Sequence, residues 1–291
     1  MSSFAPSAPE PSPGSTRPSG SGPYPGSALA PDRFLGPVIH RLRAAGCVFA
    51  EEEAELLVTS ARSPAELAGM VDRRMAGHPL EHILGWAEFR GLRIAVDEGV
   101  FVPRRRTEHL VRLALDLVDP VDAVVVDLCC GSGAVAAAIA AAAPGAEVHA
   151  ADLDPAAVRC TRRNLRGRRG RAHVGDLYDA LPANLRGRVD VLIANAPYVP
   201  TDAIDLMPPE AREHEPRLAL DGGPDGLSVL RRVLAGAPPW LAPGGHLLLE
   251  TSAGQAPLLL DAVTLGGLTA RVDVSADLGA TVIVASLPRP G

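Results

Sequence analysis

Along the chain, the spacing of hydrophobic positions changes twice. Over residues 32–85 it is helical: Leu35, Val38, Ile39 and Leu42 make one stripe, and Leu56 and Leu57 continue into a second with Ser60 and Ala61. Ser63-Pro64 supplies an N-cap and a first-turn proline for a third helix carrying Leu67, Met70 and Val71. This stretch reads as a small helical domain. Over residues 86–102 the spacing shortens, and Phe89, Leu92, Ile94 and Val96 are interspersed with Arg and Gly, as in a β-hairpin connecting two domains. Residues 103–291 then alternate short apolar runs with helical patterns. The run at 124–126 is all valine, as expected of a strand buried on both faces. Further strands are expected at 147–151, 171–174, 189–194 and 246–250, with helices at 134–143, 155–165 and 227–234. Two last strands, 270–274 and 281–286, lie too close together for a helical crossover and should pair antiparallel. The whole predicts an α/β fold: a doubly wound, seven-stranded sheet with an antiparallel pair at one edge. Residues 1–31, rich in Ser, Pro and Gly, read as a disordered tail.

Composition narrows the function. Aromatic residues are 3% of the chain, so Ala, Leu and Val must fill the core. A net charge of -6 argues against broad binding to nucleic acid. Arg162, Arg163, Arg166, Arg168, Arg169 and Arg171 cluster after the second helix of the sheet region, and read as a solvated helix end. Cys47, Cys129, Cys130 and Cys160 show no CxxC spacing, which disfavours a zinc site or disulfides and suits a reducing cytoplasm. No signal-peptide pattern or membrane-length apolar run is apparent, so a cytoplasmic protein without a metal or membrane partner is expected.

Candidate chemistry sits where expected strands end. The first runs into Asp127-Leu128-Cys129-Cys130-Gly131-Ser132-Gly133 and then a helix. Glycine there permits a tight turn and close approach of a cofactor to the backbone. Asp152 ends the next strand, the usual position of a carboxylate that grips ribose hydroxyls. Asp176-Leu177 ends the third, where Leu177 offers a surface for adenine and Asp176 an acceptor for its amino group. Nicotinamide binding competes with methyl-donor binding on this pattern. The position three beyond Gly133 is Ala136, however, where a pyrophosphate-binding turn carries its third glycine. The fourth strand ends in Asn195-Ala196-Pro197-Tyr198. An amide nitrogen is a poor nucleophile, and hydrogen-bond acceptors on both its N–H groups would hold it in line with a methyl donor. The Asn195 side-chain oxygen and the Ala196 carbonyl are the candidate acceptors, with Tyr198 packing on the flat group.

These segments carry a family resemblance. With Pro79-Leu80-Glu81-His82, Phe101-Val102-Pro103-Arg104, Thr107-Glu108 and Glu215-Pro216-Arg217, the chain resembles the HemK-type protein-(glutamine-N5) methyltransferases. These methylate the glutamine of the Gly-Gly-Gln loop in peptide-chain release factors. The resemblance implies S-adenosyl-L-methionine as cofactor, held by Asp127, Cys129, Cys130, Gly131, Ser132, Gly133, Asp152, Asp176, Leu177 and Asn195. It implies Asn195, Pro197 and Tyr198 as catalytic residues, Asn195 to Tyr198 as the acceptor site, residues 32–85 as a substrate-recognition domain and a release factor or another protein as partner. Other acceptors remain open: the amide or amine of a small molecule, an amino group of a nucleic acid, or none in a non-catalytic donor-binding protein. The chain departs from the family pattern at three places. Ala196 replaces a proline, adding a backbone N–H. Cys129 replaces a glycine and is expected to hold a negative φ. Arg105-Arg106 replaces a proline and an acid, adding positive charge at the cleft.

Overall fold

The computed structural model describes residues 29–289, so most of the expected tail lies outside the described residues. Helix α1 (Pro31–Ala44) begins at Pro31 rather than after it, and Leu29 already packs into the helical cluster. Helices α2 (Ala50–Ser60), α3 (Pro64–Met75) and α4 (Leu80–Leu84) follow. Their apolar stripes converge in one cluster around Leu42, Leu57, Leu67 and Val71. Ser63 caps α3 as expected, its hydroxyl accepting from the Glu66 amide at 3.1 Å. Such a cap contributes about 1 kcal/mol. Arg74 binds Glu53 across α2 and α3 through two nitrogens, at 2.7 and 3.0 Å.

Strands β1 (Trp86–Phe89) and β2 (Leu92–Ala95) form the antiparallel hairpin. It is shorter than the expected 86–102: beyond Ala95 the chain leaves strand geometry, while Val96, Val100 and Val102 stay buried in the main core. After α5 (Thr107–Leu115) come β3 (Val124–Leu128), α6 (Ala134–Ala142), β4 (Glu147–Asp152), α7 (Pro155–Asn164), β5 (Gly170–Val174) and β6 (Val189–Ala194). The chain continues through α8 (Pro209–His214), α9 (Ser228–Gly236), β7 (Leu241–Thr251), α10 (Ala256–Leu265), β8 (Thr269–Ser275) and β9 (Ala280–Ser286).

Seven strands line up in the order β5-β4-β3-β6-β7-β9-β8. Neighbours pair in parallel up to β7, and β9 pairs antiparallel with both β7 and β8. The expected edge pair is therefore β8 and β9. Every residue of β3 is buried because clusters cover both faces of the sheet. On one side the alanines of α6 let that helix lie close to the strands; on the other, Leu230, Val233 and Leu259 from α9 and α10 fill the space. Each fully buried leucine or isoleucine contributes about 1.5–3 kcal/mol relative to exposure. The chain builds outward from β3 to β5, then returns to lay β6 on the other side of β3. Strand order reverses there, and the crevice outside the carboxyl ends of β3 and β6 is the place such sheets bind ligands.

Candidate functional site

Asp127 enters the crevice on β3. It is 2% exposed, its Oδ2 accepts from the Ala136 amide at 3.1 Å, and burial pushes its carboxyl up to about 8. The loop beyond it is fastened from behind by α7. Thr161 Oγ1 donates to the Gly131 carbonyl at 2.9 Å, and Asn164 Nδ2 donates to the Ser132 carbonyl at 2.8 Å. Gly133 has φ +77°, and a Cβ there would lie 2.6 Å from Thr161, so its glycine serves helix packing; it does not line the cleft. Gly131 has φ +54° with its nearest neighbour at 3.9 Å, and lies on the open side. Cys129 corrects the expectation of a negative φ. It holds φ +56°, a left-handed conformation that is strained for a residue with a side chain. Burial pushes both the Cys129 and Cys130 thiols up, which leaves them protonated.

Asp152 ends β4 with each carboxylate oxygen on a backbone amide, Oδ2 on Gly131 and Oδ1 on Asp154, both at 2.9 Å. These bonds tie the strand tip to the glycine loop and fix the direction of the carboxylate. Leu177 follows β5 in a left-handed conformation, φ +48°, with its side chain 8% exposed. Asp176 lines the cleft but has one oxygen committed, accepting from Arg232 Nη2 at 2.7 Å.

On the other side of the switch point, Asn195 follows β6 and its Nδ2 donates to Thr107 Oγ1 at 3.1 Å. Thr107 is 3% exposed at the start of α5. With one of its two N–H groups on Thr107, the Asn195 amide is oriented and its oxygen is left to accept. Ala196 is buried, and Pro197 and Tyr198 line the same cleft. Burial, then the charge of Glu250, pushes the Tyr198 phenol up to about 12; it donates to Glu250 Oε1 at 3.3 Å. Arg106 donates through Nε to that same oxygen at 3.1 Å. The charge expected at the cleft is thus partly countered by a carboxylate from β7. Arg104 binds the buried Glu215 at 2.5 Å, closing the outer wall. His214, adjacent in sequence, instead stacks on His78 at 4.1 Å between ring centroids.

One cleft, with about 1420 Å³ of space partly open to solvent, is lined by Asp127, Cys129, Cys130, Gly131, Ser132, Asp152, Asp176, Leu177, Asn195, Ala196, Pro197 and Tyr198. Of the residues expected at the site, Gly133 alone is missing from its lining. Arg104, Arg106, Thr107 and Phe101 join them; Glu215 and Glu250 support from behind.

Residues 91–207 match the methyltransferase small domain family model. The release factor glutamine methyltransferase of Streptomyces coelicolor is 45% identical over 65% of this chain and 69% of its own length. That of Moorella thermoacetica is 39% identical over 78% of this chain and 87% of its own. The chain belongs to the release factor glutamine methyltransferase family. As a member, it is an S-adenosylmethionine-dependent methyltransferase. Another relative, the 4-amino-L-phenylalanine/4-methylamino-L-phenylalanine methyltransferase of Streptomyces pristinaespiralis, is 41% identical over 64% of this chain and 65% of its own length. A methyltransferase structure from Pyrococcus furiosus shares the fold at 16% identity, with a TM-score of 0.53 over 77% of this chain and 98% of that one.

The cleft suits the methyl donor of the family. A fixed carboxylate at the β4 tip, the Leu177 shelf and a loop whose Gly131 leaves the backbone accessible match a nucleoside with no phosphate. Among the described residues, no helix is long and apolar enough to cross a membrane, and no group of three His, Cys, Asp or Glu is placed to hold a metal.

Proposed function

We propose that this family member methylates the side-chain amide nitrogen of a protein glutamine, with a peptide-chain release factor as acceptor. The observation that carries this is the Asn195–Thr107 bond, which turns the Asn195 oxygen into a fixed acceptor in the same cleft as Asp152 and the glycine loop. Asp152 holds the ribose hydroxyls, Leu177 supports the adenine, and Cys129, Cys130, Gly131 and Ser132 line the path between. S-adenosylmethionine supplies an electrophilic sulfonium methyl. Asn195 and the Ala196 carbonyl hold the two acceptor N–H groups, so that the nitrogen lone pair faces the donor and developing positive charge is stabilised. Tyr198, protonated at neutral pH, packs on the planar amide and takes no proton. As the nitrogen–carbon bond forms the methyl–sulfur bond would break, releasing S-adenosylhomocysteine, and the nitrogen, by then strongly acidic, would pass its proton to water. Helices α1 to α4, which cover residues 31–84, serve as a recognition surface for the protein acceptor.

A second reading has support from the Streptomyces pristinaespiralis relative, whose name gives small amino acids as its substrates. An aryl amine presents the same planar nitrogen to Asn195. The deciding experiment incubates the enzyme with labelled S-adenosylmethionine and either a purified bacterial release factor or 4-amino-L-phenylalanine. Label on the glutamine of the Gly-Gly-Gln loop, located by mass spectrometry, is the expected result. Label on the small amine alone, with donor binding intact, would replace the protein reading with the second.

A further inference from the structure

Arg106 stands between two hollows. It lines the methyl-transfer cleft and also a second hollow of about 810 Å³, and Tyr198 lines both with it. The remaining wall of the second hollow carries no charge: Thr251 at the end of β7, Ser252 just beyond it, Ser275 at the end of β8 and Thr281 on β9 place hydroxyls among apolar residues such as Val274 and Ala276. Arg106 immediately precedes Thr107, the residue that holds Asn195, so its position is tied to the transfer site.

How Arg106 meets Glu250 is informative. Glu250 is completely buried, and a two-point fork is the strongest way for an arginine to neutralise it. Here the hydrogen bond runs from Nε alone to Oε1, and Oε2 of Glu250, also buried, has no partner among the described residues. A guanidinium carries five N–H donors. Nε is spent on Glu250 and the Tyr198 hydroxyl lies beside the guanidinium, yet the side chain remains 42% exposed. The guanidinium is therefore anchored at one edge and open at the other, with its carbon 5.9 Å from the Tyr198 ring centroid.

We propose that Arg106 is a carboxylate subsite beside the methyl-transfer position, so that the acceptor carries an acid group close to the nitrogen it presents to Asn195. The inference rests on the amide-methylation reading for the position of the nitrogen. The acid lies against the open edge of Arg106, with the uncharged second hollow receiving whatever continues from it. Two sources supply such a group: the terminal carboxylate of a small acceptor, or an acidic side chain flanking the target residue in a protein.

The test uses three acetylated peptides as probes: Gly-Gly-Gln with a free carboxyl terminus, Gly-Gly-Gln with a terminal amide, and Gly-Gly-Gln-Glu with a terminal amide. Binding to the S-adenosylhomocysteine-loaded full-length enzyme is followed by calorimetry, and methyl transfer by mass. One or both acid-bearing probes should bind about 10- to 100-fold more tightly than the neutral one, the range for a charge-assisted hydrogen bond. Preference for the free terminus would identify a small acceptor, and preference for the flanking Glu a protein. In Arg106→Gln the acid-to-neutral ratio should fall to near one, while Arg106→Lys should restore part of it. Equal binding of all three probes by the wild type, or loss of affinity for acid and neutral probes alike in Arg106→Gln, would overturn the subsite. Acid preference without transfer to any glutamine would leave the subsite standing and sink the glutamine reading.

Discussion

The two halves of the cleft are built differently. On the donor side, polar side chains mostly bind main chain close by in the fold: Asp127 takes the Ala136 amide, Asp152 takes those of Gly131 and Asp154, and Thr161 and Asn164 grip the loop carbonyls. On the acceptor side, side chains bind side chains across long separations. Asn195 meets Thr107 across 88 positions, Arg104 meets Glu215 across 111, and Arg106 meets Glu250 across 144. Backbone partners persist whatever the side chains are, so the donor half can keep its shape through substitution. In the acceptor half, one substitution changes a partner and can redirect specificity.

The largest expected effect tests the acceptor half at its centre. Asn195→Ala should slow methyl transfer about 100-fold or more, as when a preorganised polar partner is lost, while donor affinity changes little. Thr107→Val should reproduce part of that loss through disorientation of Asn195, with Thr107→Ser recovering it. A turnover within a few fold of wild type in Asn195→Ala would remove the proposed mechanism.

Next comes the donor half. Asp152→Ala should weaken S-adenosylhomocysteine binding by about 1.5–3 kcal/mol, the contribution of a hydrogen bond to a charged group. Calorimetry giving the same dissociation constant for both proteins would take Asp152 out of the ribose clamp.

Donor and acceptor halves were unequally legible in the sequence, for the same reason that they are built differently. Asp127, Asp152 and Leu177 sit at strand ends that a local pattern of valines, glycines and acids marks. The sequence already places Arg106 and Thr107 near the cleft, but their pairings with Glu250 and Asn195 follow only from the sheet order, which brings α5 beside the ends of β6 and β7. The sequence reading places no helix at α5, although Leu110, Val111, Leu113 and Ala114 recur at helical spacing on its buried face. Helix α10 escaped because Leu258 and Leu265 are exposed apolar residues that blur its period. The left-handed Cys129 was read with the wrong sign because residue type usually sets that preference, and here the loop's fastening to α7 overrides it.

A smaller effect concerns pH. Asp127 has a folded value raised to about 8 from an ordinary value near 3.8. Between these the folded state holds a proton that the unfolded state has lost, so this group's contribution to stability is full below pH 4 and is lost as pH rises through 8. Asp127→Asn, which keeps an oxygen for the Ala136 amide, should flatten that decline. Thermal unfolding of both proteins at pH 5 and pH 8 measures it; parallel shifts in the two would show that Asp127 is not the group responsible.

The smallest effect is Cys129→Gly. Relief of a left-handed side chain, about 1–2 kcal/mol, less the added chain entropy of glycine, about 0.5–1 kcal/mol, should leave a gain of roughly 0.5–1 kcal/mol. The midpoint of denaturant unfolding reports it, and a loss of stability would mean that the thiol's packing outweighs the strain.

The register of the central strands carries a consequence for how such an enzyme can diverge. Leu128 on β3 lies level with Ala194 on β6, so the glycine loop and Asn195 leave the sheet side by side. Because successive strand residues face opposite sides, a slip of one position would reverse every side chain of β6 at once. Changes at the amino ends of the strands, in turns such as residues 143–146 and 165–169, meet the core through Ala146 and Leu165 but lie away from the cleft. Descendants of this chain can vary more readily on one rim of the sheet, while on the other they inherit a spacing that changes all at once or not at all.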